Sequence, residues 1–177
     1  MDRIDDHSLN ARVACVIGSR ADAYGLERAR SRGISAVFVA RKEYSDTPSF
    51  SHAVWSEIRK HNVDLVVMAG FMCLLEIPGD FENRVVNVHP GLIPAFCGKG
   101  MYGHHVHEAV IAQKETESGI SIHVVDEQYD HGPVIFQDRC PVLPADTPET
   151  LAAKIHALEH RHFPGVIESY IEKQNRS

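Results

Sequence analysis

No run of apolar residues in this chain approaches the ~20 that a membrane-crossing helix needs, so none of its helices is expected to span a bilayer. It has no basic run, and a formal charge of −6 argues against nucleic acid or an anionic membrane surface as its main partner. It has no C-x-x-C pair: Cys15, Cys73, Cys97 and Cys140 are scattered, and no secretory leader is expected ahead of them. Reduced thiols in a cytoplasmic protein are the expectation. No internal repeat, no linker and no obvious serine or cysteine nucleophile stands out. What is present is 177 residues, 44% of them hydrophobic, a length at which a single domain buries roughly 70% of its unfolded surface. Twelve histidines keep metal binding in view.

Hydrophobic patterning gives strands alternating with helices, the mark of an α/β fold with an open, mainly parallel twisted sheet. Residues 1–11 are polar and charged and are expected to form an arm without regular structure, ahead of one domain over 12–177. Arg12–Gly18 reads as a strand. A helix over 23–33 follows, capped by Ser19 or Asp22 and ended by Gly33. Ser35–Ala40 reads as a buried strand, and Ser49–His61 as a helix turning Val54, Trp55 and Ile58 inward. Asp64–Gly70 is continuously apolar, as a strand covered on both faces should be. Val85–Val88 is a further strand, and His104–Lys114 a helix. Gly119–Asp126 and Pro133–Val142 form an antiparallel pair at the sheet's C-terminal edge. Thr147 and Pro148 open a last helix, which Pro164 should kink or break.

The stretch VVNVHPGLIPAFCGKGMYG (Val85–Gly103) carries the chemistry. On a strand, residues two apart point to one side, so Asn87 and His89 project together. Pro90 and Pro94 end the strand, and Gly98, Gly100 and Gly103 make the loop after it mobile or closely approached. Open α/β sheets bind ligands at such strand ends. Asp130, in the turn QYDHGP, is the candidate third group. A carboxylate beside an imidazole stabilises the protonated ring, and an imidazolium with an amide forms a clamp for a developing oxyanion. That set suits acyl transfer to an amine by direct attack, with no covalent enzyme intermediate. A second reading of the residues is a zinc hydrolase: His156, Glu159 and His160 match H-x-x-E-H, two imidazoles and a base on one helix. His104–His107 (HHVH) opens a helix near the glycine loop.

Four segments, AGFMCLL (Ala69–Leu75), NVHPGLIPAF (Asn87–Phe96), SGISIHVVDEQYDHGPVIFQ (Ser118–Gln137) and LEHRHFP (Leu158–Pro164), together resemble the phosphoribosylglycinamide formyltransferase family, from about Arg12 to Ile171. The resemblance implies a Rossmann-like formyltransferase domain without a metal. It implies transfer of a formyl group from 10-formyltetrahydrofolate to the amine of 5'-phosphoribosylglycinamide in purine biosynthesis. It implies Asn87, His89 and Asp130 as the catalytic trio, with His89 as proton donor and oxyanion partner and Asp130 holding its pKa up. The pterin would lie against Met72, Cys73, Leu74 and Leu75 and the backbone of Asp126, Glu127, Gln128, Tyr129 and Asp130. His156 and Glu159, a helical turn apart, would hold the ribonucleotide.

Departures from the family's pattern shape the alternatives. Gly91 stands where serine is usual, the loop Gly98–Gly103 is longer than in the best-known members, and no arginine lies near Thr47 for the folate tail. Nothing before Arg12 matches the family's first strand and its glycine-rich phosphate loop. That strand belongs inside the sheet, between those matching Arg12–Gly18 and Asp64–Gly70. Unpaired strand edges are therefore expected, with association of copies through them. Lys99 and His104 are the nearby replacements for the phosphate loop. A 10-formyltetrahydrofolate hydrolase sharing the trio, and a folate-binding protein with little turnover, are the other readings. A tRNA-directed formyltransferase is disfavoured by the acidic balance.

Overall fold

The computed structural model describes residues 1–174. Its strands fall into two sheets. β1 (Cys15–Gly18) pairs in parallel with β2 (Ser35–Phe38), and a four-stranded sheet runs β3 (Val66–Met68), β4 (Val85–His89), β5 (Glu117–Val124), β6 (Val134–Pro141). β3 and β4 are parallel, while β5 is antiparallel to both β4 and β6. β5 and β6 thus form the antiparallel pair expected at that edge of the sheet, β5 being the strand that runs against the other three. β1 and β3 share no ladder, so the expected unpaired edges are there, one on each sheet.

One helix holds the two sheets together. α3 (Thr47–Ile58) is capped by Asp46, whose carboxylate accepts the Ser49 N–H at 2.8 Å, with Pro48 in its first turn. Its apolar face, Phe50, Val54, Trp55 and Ile58, packs against Ile17 and Val37 of one sheet and Val66 and Met68 of the other. The Trp55 indole N–H donates to the Glu76 carbonyl at 2.7 Å, so burying the ring leaves no orphaned donor. Val67, on the face of β3 away from α3, is 41% exposed. The expectation of a strand covered on both faces therefore fails: apolar residues all along a strand do not say how many layers cover it. β2 is likewise only half-buried.

The second core lies between α4 (His104–Ala112), α5 (Pro148–Gln174) and β5, through Val106, Val110, Ile120, Leu151 and Ile155. α5 then crosses the sheet, seating Phe163 with Val86 and Ile122. Pro164 lies inside an unbroken α5; the carbonyl it frees belongs to exposed His160, where solvent supplies the partner. The tail of the helix is anchored by the Tyr170 hydroxyl, which donates to the Asn83 carbonyl at 2.8 Å.

Residues 1–11 depart from the expected irregular arm. Asp2–Asp5 form a short helix, α1, which docks on α2 (Tyr24–Arg30) and the turn after it. Arg28 and Arg32 both reach Asp2, and Arg32 also reaches Asp5. Leu9 is buried beneath. The segment looked disordered because its polar groups were counted without their partners. α2 has no side-chain cap; Asp22, expected to cap it, is instead paired with Arg20 at 2.7 Å.

Candidate active site

β4 carries both Asn87 and His89 to its C-terminal end, beside the loop over 90–103. β5 runs back past them with Asn87 opposite His123 and His89 opposite Ser121. A register shift at Ile122–His123 in the β5–β6 ladder is a bulge of the kind that re-aims side chains beside active sites. The turn after β5 ends at Asp130, whose φ of 53° is a left-handed conformation that aspartate tolerates better than most residues. These groups line a cavity of about 780 Å³, large enough for substrate-sized ligands.

Inside it four side chains form a chain of polar contacts. Asn87 Nδ2 is 3.1 Å from His123 Nε2. His123 Nε2 is 3.5 Å from Asp130 Oδ1, and Asp130 Oδ2 is 3.4 Å from His89 Nδ1. The Gly98 N–H donates to Asp130 Oδ2 at 3.0 Å, and His89 Nε2 sits 2.8 Å from the Phe96 carbonyl. That carbonyl can only accept, so Nε2 carries a proton. His123 Nδ1 donates to the Val124 carbonyl at 2.9 Å, which turns Nε2 toward both the Asn87 amide and the Asp130 carboxylate.

The charges follow from burial and these contacts. Burial disfavours ionisation of Asp130, but contacts with His123, the Gly98 N–H and His89 outweigh it and hold the carboxyl below its ordinary range. Burial lowers the pKa of His89 below the ordinary imidazole value, with Asp130 and the Phe96 carbonyl pulling the other way. The expectation that Asp130 raises the pKa of His89 is right for that one interaction and wrong for the sum, because His89 is only 2% exposed. Cys97 donates its thiol to the Pro94 carbonyl. Burial and then Asp130 push its pKa up, so it is no activated nucleophile.

The structure gathers most of the residues singled out from the sequence. Met72, Cys73, Leu74, Leu75, Gln128, Tyr129, His156 and Glu159 all line the same cavity as Asn87, His89 and Asp130, as do Lys99 and His104. Asp126 and Glu127 do not. Asp126 instead accepts the Gln128 N–H at 2.9 Å and pairs with His131 at 2.7 Å, so it shapes the turn from outside. Burial raises the pKa of Glu159, with His156 and His160 opposing. His160 is exposed and outside the cavity wall, and among the described residues no three His, Cys, Asp or Glu side chains are grouped to hold a metal ion. The H-x-x-E-H reading therefore loses its second imidazole.

Two further wall histidines went unassigned in the sequence. His123 joins Asn87 to Asp130, a role set by β4–β5 register that no local motif carries. His107 is 2% exposed with Nδ1 unpartnered, and burial, then His156, His104 and His89, depress its pKa to about 4.

An α/β sheet with a buried amide–imidazole–carboxylate chain at a strand end is the framework of an acyl-transfer site. The family profile described as formyl transferase matches residues 1–167. Phosphoribosylglycinamide formyltransferase from Haemophilus influenzae is 31% identical over 178 residues, covering 99% of this chain and 82% of that protein. The chloroplastic phosphoribosylglycinamide formyltransferase of Arabidopsis thaliana is 39% identical over 173 residues, 96% of this chain and 59% of that one. Glycinamide ribonucleotide transformylase 1 from Symbiobacterium toebii superposes with a TM-score of 0.89 at 37% identity, over 97% of this chain and 80% of its own. The chain belongs to the formyl transferase family, among the phosphoribosylglycinamide formyltransferases. It spans 59% of the length of the Arabidopsis protein and 54% of the chloroplastic phosphoribosylglycinamide formyltransferase of Vigna unguiculata.

Proposed function

We propose that this protein moves a formyl group from 10-formyltetrahydrofolate to the amine of 5'-phosphoribosylglycinamide. The observation that carries the reading is the unbroken chain Asn87–His123–Asp130–His89 in the wall of one cavity. As the amine attacks the formyl carbon, charge grows on the formyl oxygen; collapse of that adduct breaks the bond from the formyl carbon to N10 of the folate, which leaves with a proton in place of the one the amine gives up. The Asn87 amide and the His89 Nε2–H donate to that oxygen, and Asp130 offsets the positive charge the ring takes on as it does so. The apolar stretch Met72–Leu75 with Gln128 and Tyr129 supports a pterin site. His156 and Glu159 support contact with the ribonucleotide, and Lys99 and His104 are wall side chains suited to its phosphate. The acceptors are small molecules, the compartment is the cytoplasm, and the free edges of β1 and β3 favour association of copies.

Formyl transfer by purified protein, followed by loss of 10-formyltetrahydrofolate with and without the acceptor, tests the reading. Acceptor-dependent turnover is expected. Formate release without acceptor would make the protein a hydrolase, and tight folate binding with neither reaction would make it a binding module.

A further inference from the structure

Gly91 lies two residues beyond His89, and its missing side chain is space that His89 uses. A Cβ on Gly91 would stand 2.9 Å from His89 Nε2, 3.3 Å from its Cδ2 and 3.2 Å from Val106 Cγ1. The backbone there cannot yield easily. The Gly91 carbonyl accepts from Ser121 Oγ at 2.7 Å, and the Ile93 N–H donates to that oxygen at 3.0 Å. Gln137 Nε2 donates both to Ser121 Oγ, at 2.7 Å, and to the Ile93 carbonyl, at 2.9 Å. Ser121 and Val106 are wholly buried. Of the two side chains that Cβ would meet, it is the far end of the His89 side chain that can give way.

The ring has one nitrogen to offer a substrate. Nδ1 faces Asp130, so Nε2 is the atom that must reach the formyl oxygen, yet it rests on the Phe96 carbonyl at 2.8 Å. That carbonyl takes the hydrogen bond an oxyanion would need from Nε2. We infer that Gly91 is a positioning residue: it lets His89 park Nε2 on the Phe96 carbonyl, and each turnover begins by freeing that nitrogen. The claim rests on the reading of His89 as proton donor. Any side chain at 91 closes the parking space and turns Nε2 from Phe96 toward the cavity.

Gly91→Ala is expected to raise kcat by roughly 2–10-fold, the scale of one net hydrogen bond removed from the resting state. KM for either substrate should stay within about twofold, and the His89 Nε2 resonance should move in imidazole 1H–15N spectra. A kcat equal to or below that of the parent, with Nε2 unmoved, overturns the inference. His89→Ala separates the two claims: if it keeps full activity the proton-donor reading fails, whereas if it is inactive and Gly91→Ala behaves as the parent only the parking claim fails. Should Gly91→Ala not fold, the unaltered protein decides. His89 carrying its proton on Nε2 in a hydrogen bond supports parking, and an unprotonated Nε2 at neutral pH overturns it.

Discussion

Asn87 and His123 face each other across the β4–β5 ladder, Nδ2 to Nε2 at 3.1 Å. Because His123 Nδ1 donates to the Val124 carbonyl, the ring is held with Nε2 toward Asn87, and the Nδ2 end of the amide points at it. The second N–H of the amide is then left for substrate. His123→Ala should let the amide turn over and lower kcat by about 10–100-fold, within the range for losing a properly aimed oxyanion donor. Folate affinity should hold. A variant with normal kcat would remove His123 from the mechanism.

Asp130 sets its carboxylate between His89 and His123, and its ionised form is held by contacts with both and by the Gly98 N–H. Asp130→Asn keeps the shape and removes the charge that balances an imidazolium. Turnover should fall at least ~100-fold, and Asn87→Ala and His89→Ala should each do the same. In addition, the His89 pKa should drop further in Asp130→Asn, since an upward pull is lost. An NMR titration of the variant reads that shift directly; an unchanged or higher value would contradict the pairing.

Much of this site was legible in the sequence because it is local. Asn87 and His89 share a side through strand period alone; the glycines at 98, 100 and 103 all have positive φ, but a Cβ at any of them would meet nothing within 4 Å, so the loop is not closely approached there. What was not legible depends on tertiary contact. The register that sets His123 against Asn87 has no sequence signature, and the sign of the His89 shift turns on how deeply the ring is buried. The helix at 2–5 needs Arg28 and Arg32, more than twenty residues away, before it becomes apparent. The layer count over β3 is of the same kind: Val66–Met68 reads as doubly covered, and only the packed chain leaves Val67 exposed.

Gly132 controls the turn that delivers Asp130. A Cβ there would fall 2.0 Å from the Val124 carbonyl oxygen, which is backbone and cannot move aside cheaply. The same strand end is closed by the Val124 N–H donating to the Pro133 carbonyl at 2.9 Å. Gly132→Ala should therefore pry the turn away from β5, displacing Asp130. Activity should be lost even under conditions where circular dichroism still reports a folded protein. Full activity would show that the turn is not what aims the carboxylate.

Phe50 tests whether α3 is the brace between the two sheets. It is fully buried, edge-on to Tyr44 at 5.7 Å and stacked on Phe71 at 6.3 Å. Phe50→Ala should cost about 3–5 kcal/mol by urea unfolding, the usual price of emptying a large aromatic site. Since β1 and β3 have no ladder between them, amide exchange in β1 and β2 should accelerate more than in β5. Uniform acceleration across both sheets would mean that something other than α3 couples them.

His107 predicts how stability depends on pH. Its folded pKa of about 4 lies below the ordinary imidazole value of 6.5, so protonation favours the unfolded chain. The stability that His107 confers is whole above about pH 6.5, declines as pH falls below that value, and is exhausted once pH passes about 4. The loss integrates to on the order of 3 kcal/mol. His89, with a pKa also lowered by burial, adds to it with the same sign. Burial is the first cause at both rings, and His104 and His156 reinforce it at His107 by repelling a charge there. His107→Gln keeps a polar group of similar reach and cannot ionise. Urea unfolding at a series of pH values should give a shallower acid slope for the variant than for the parent between about 6.5 and 4. Superimposable slopes would mean that His107 is already protonated in the folded protein, and hence that its Nδ1 has a partner.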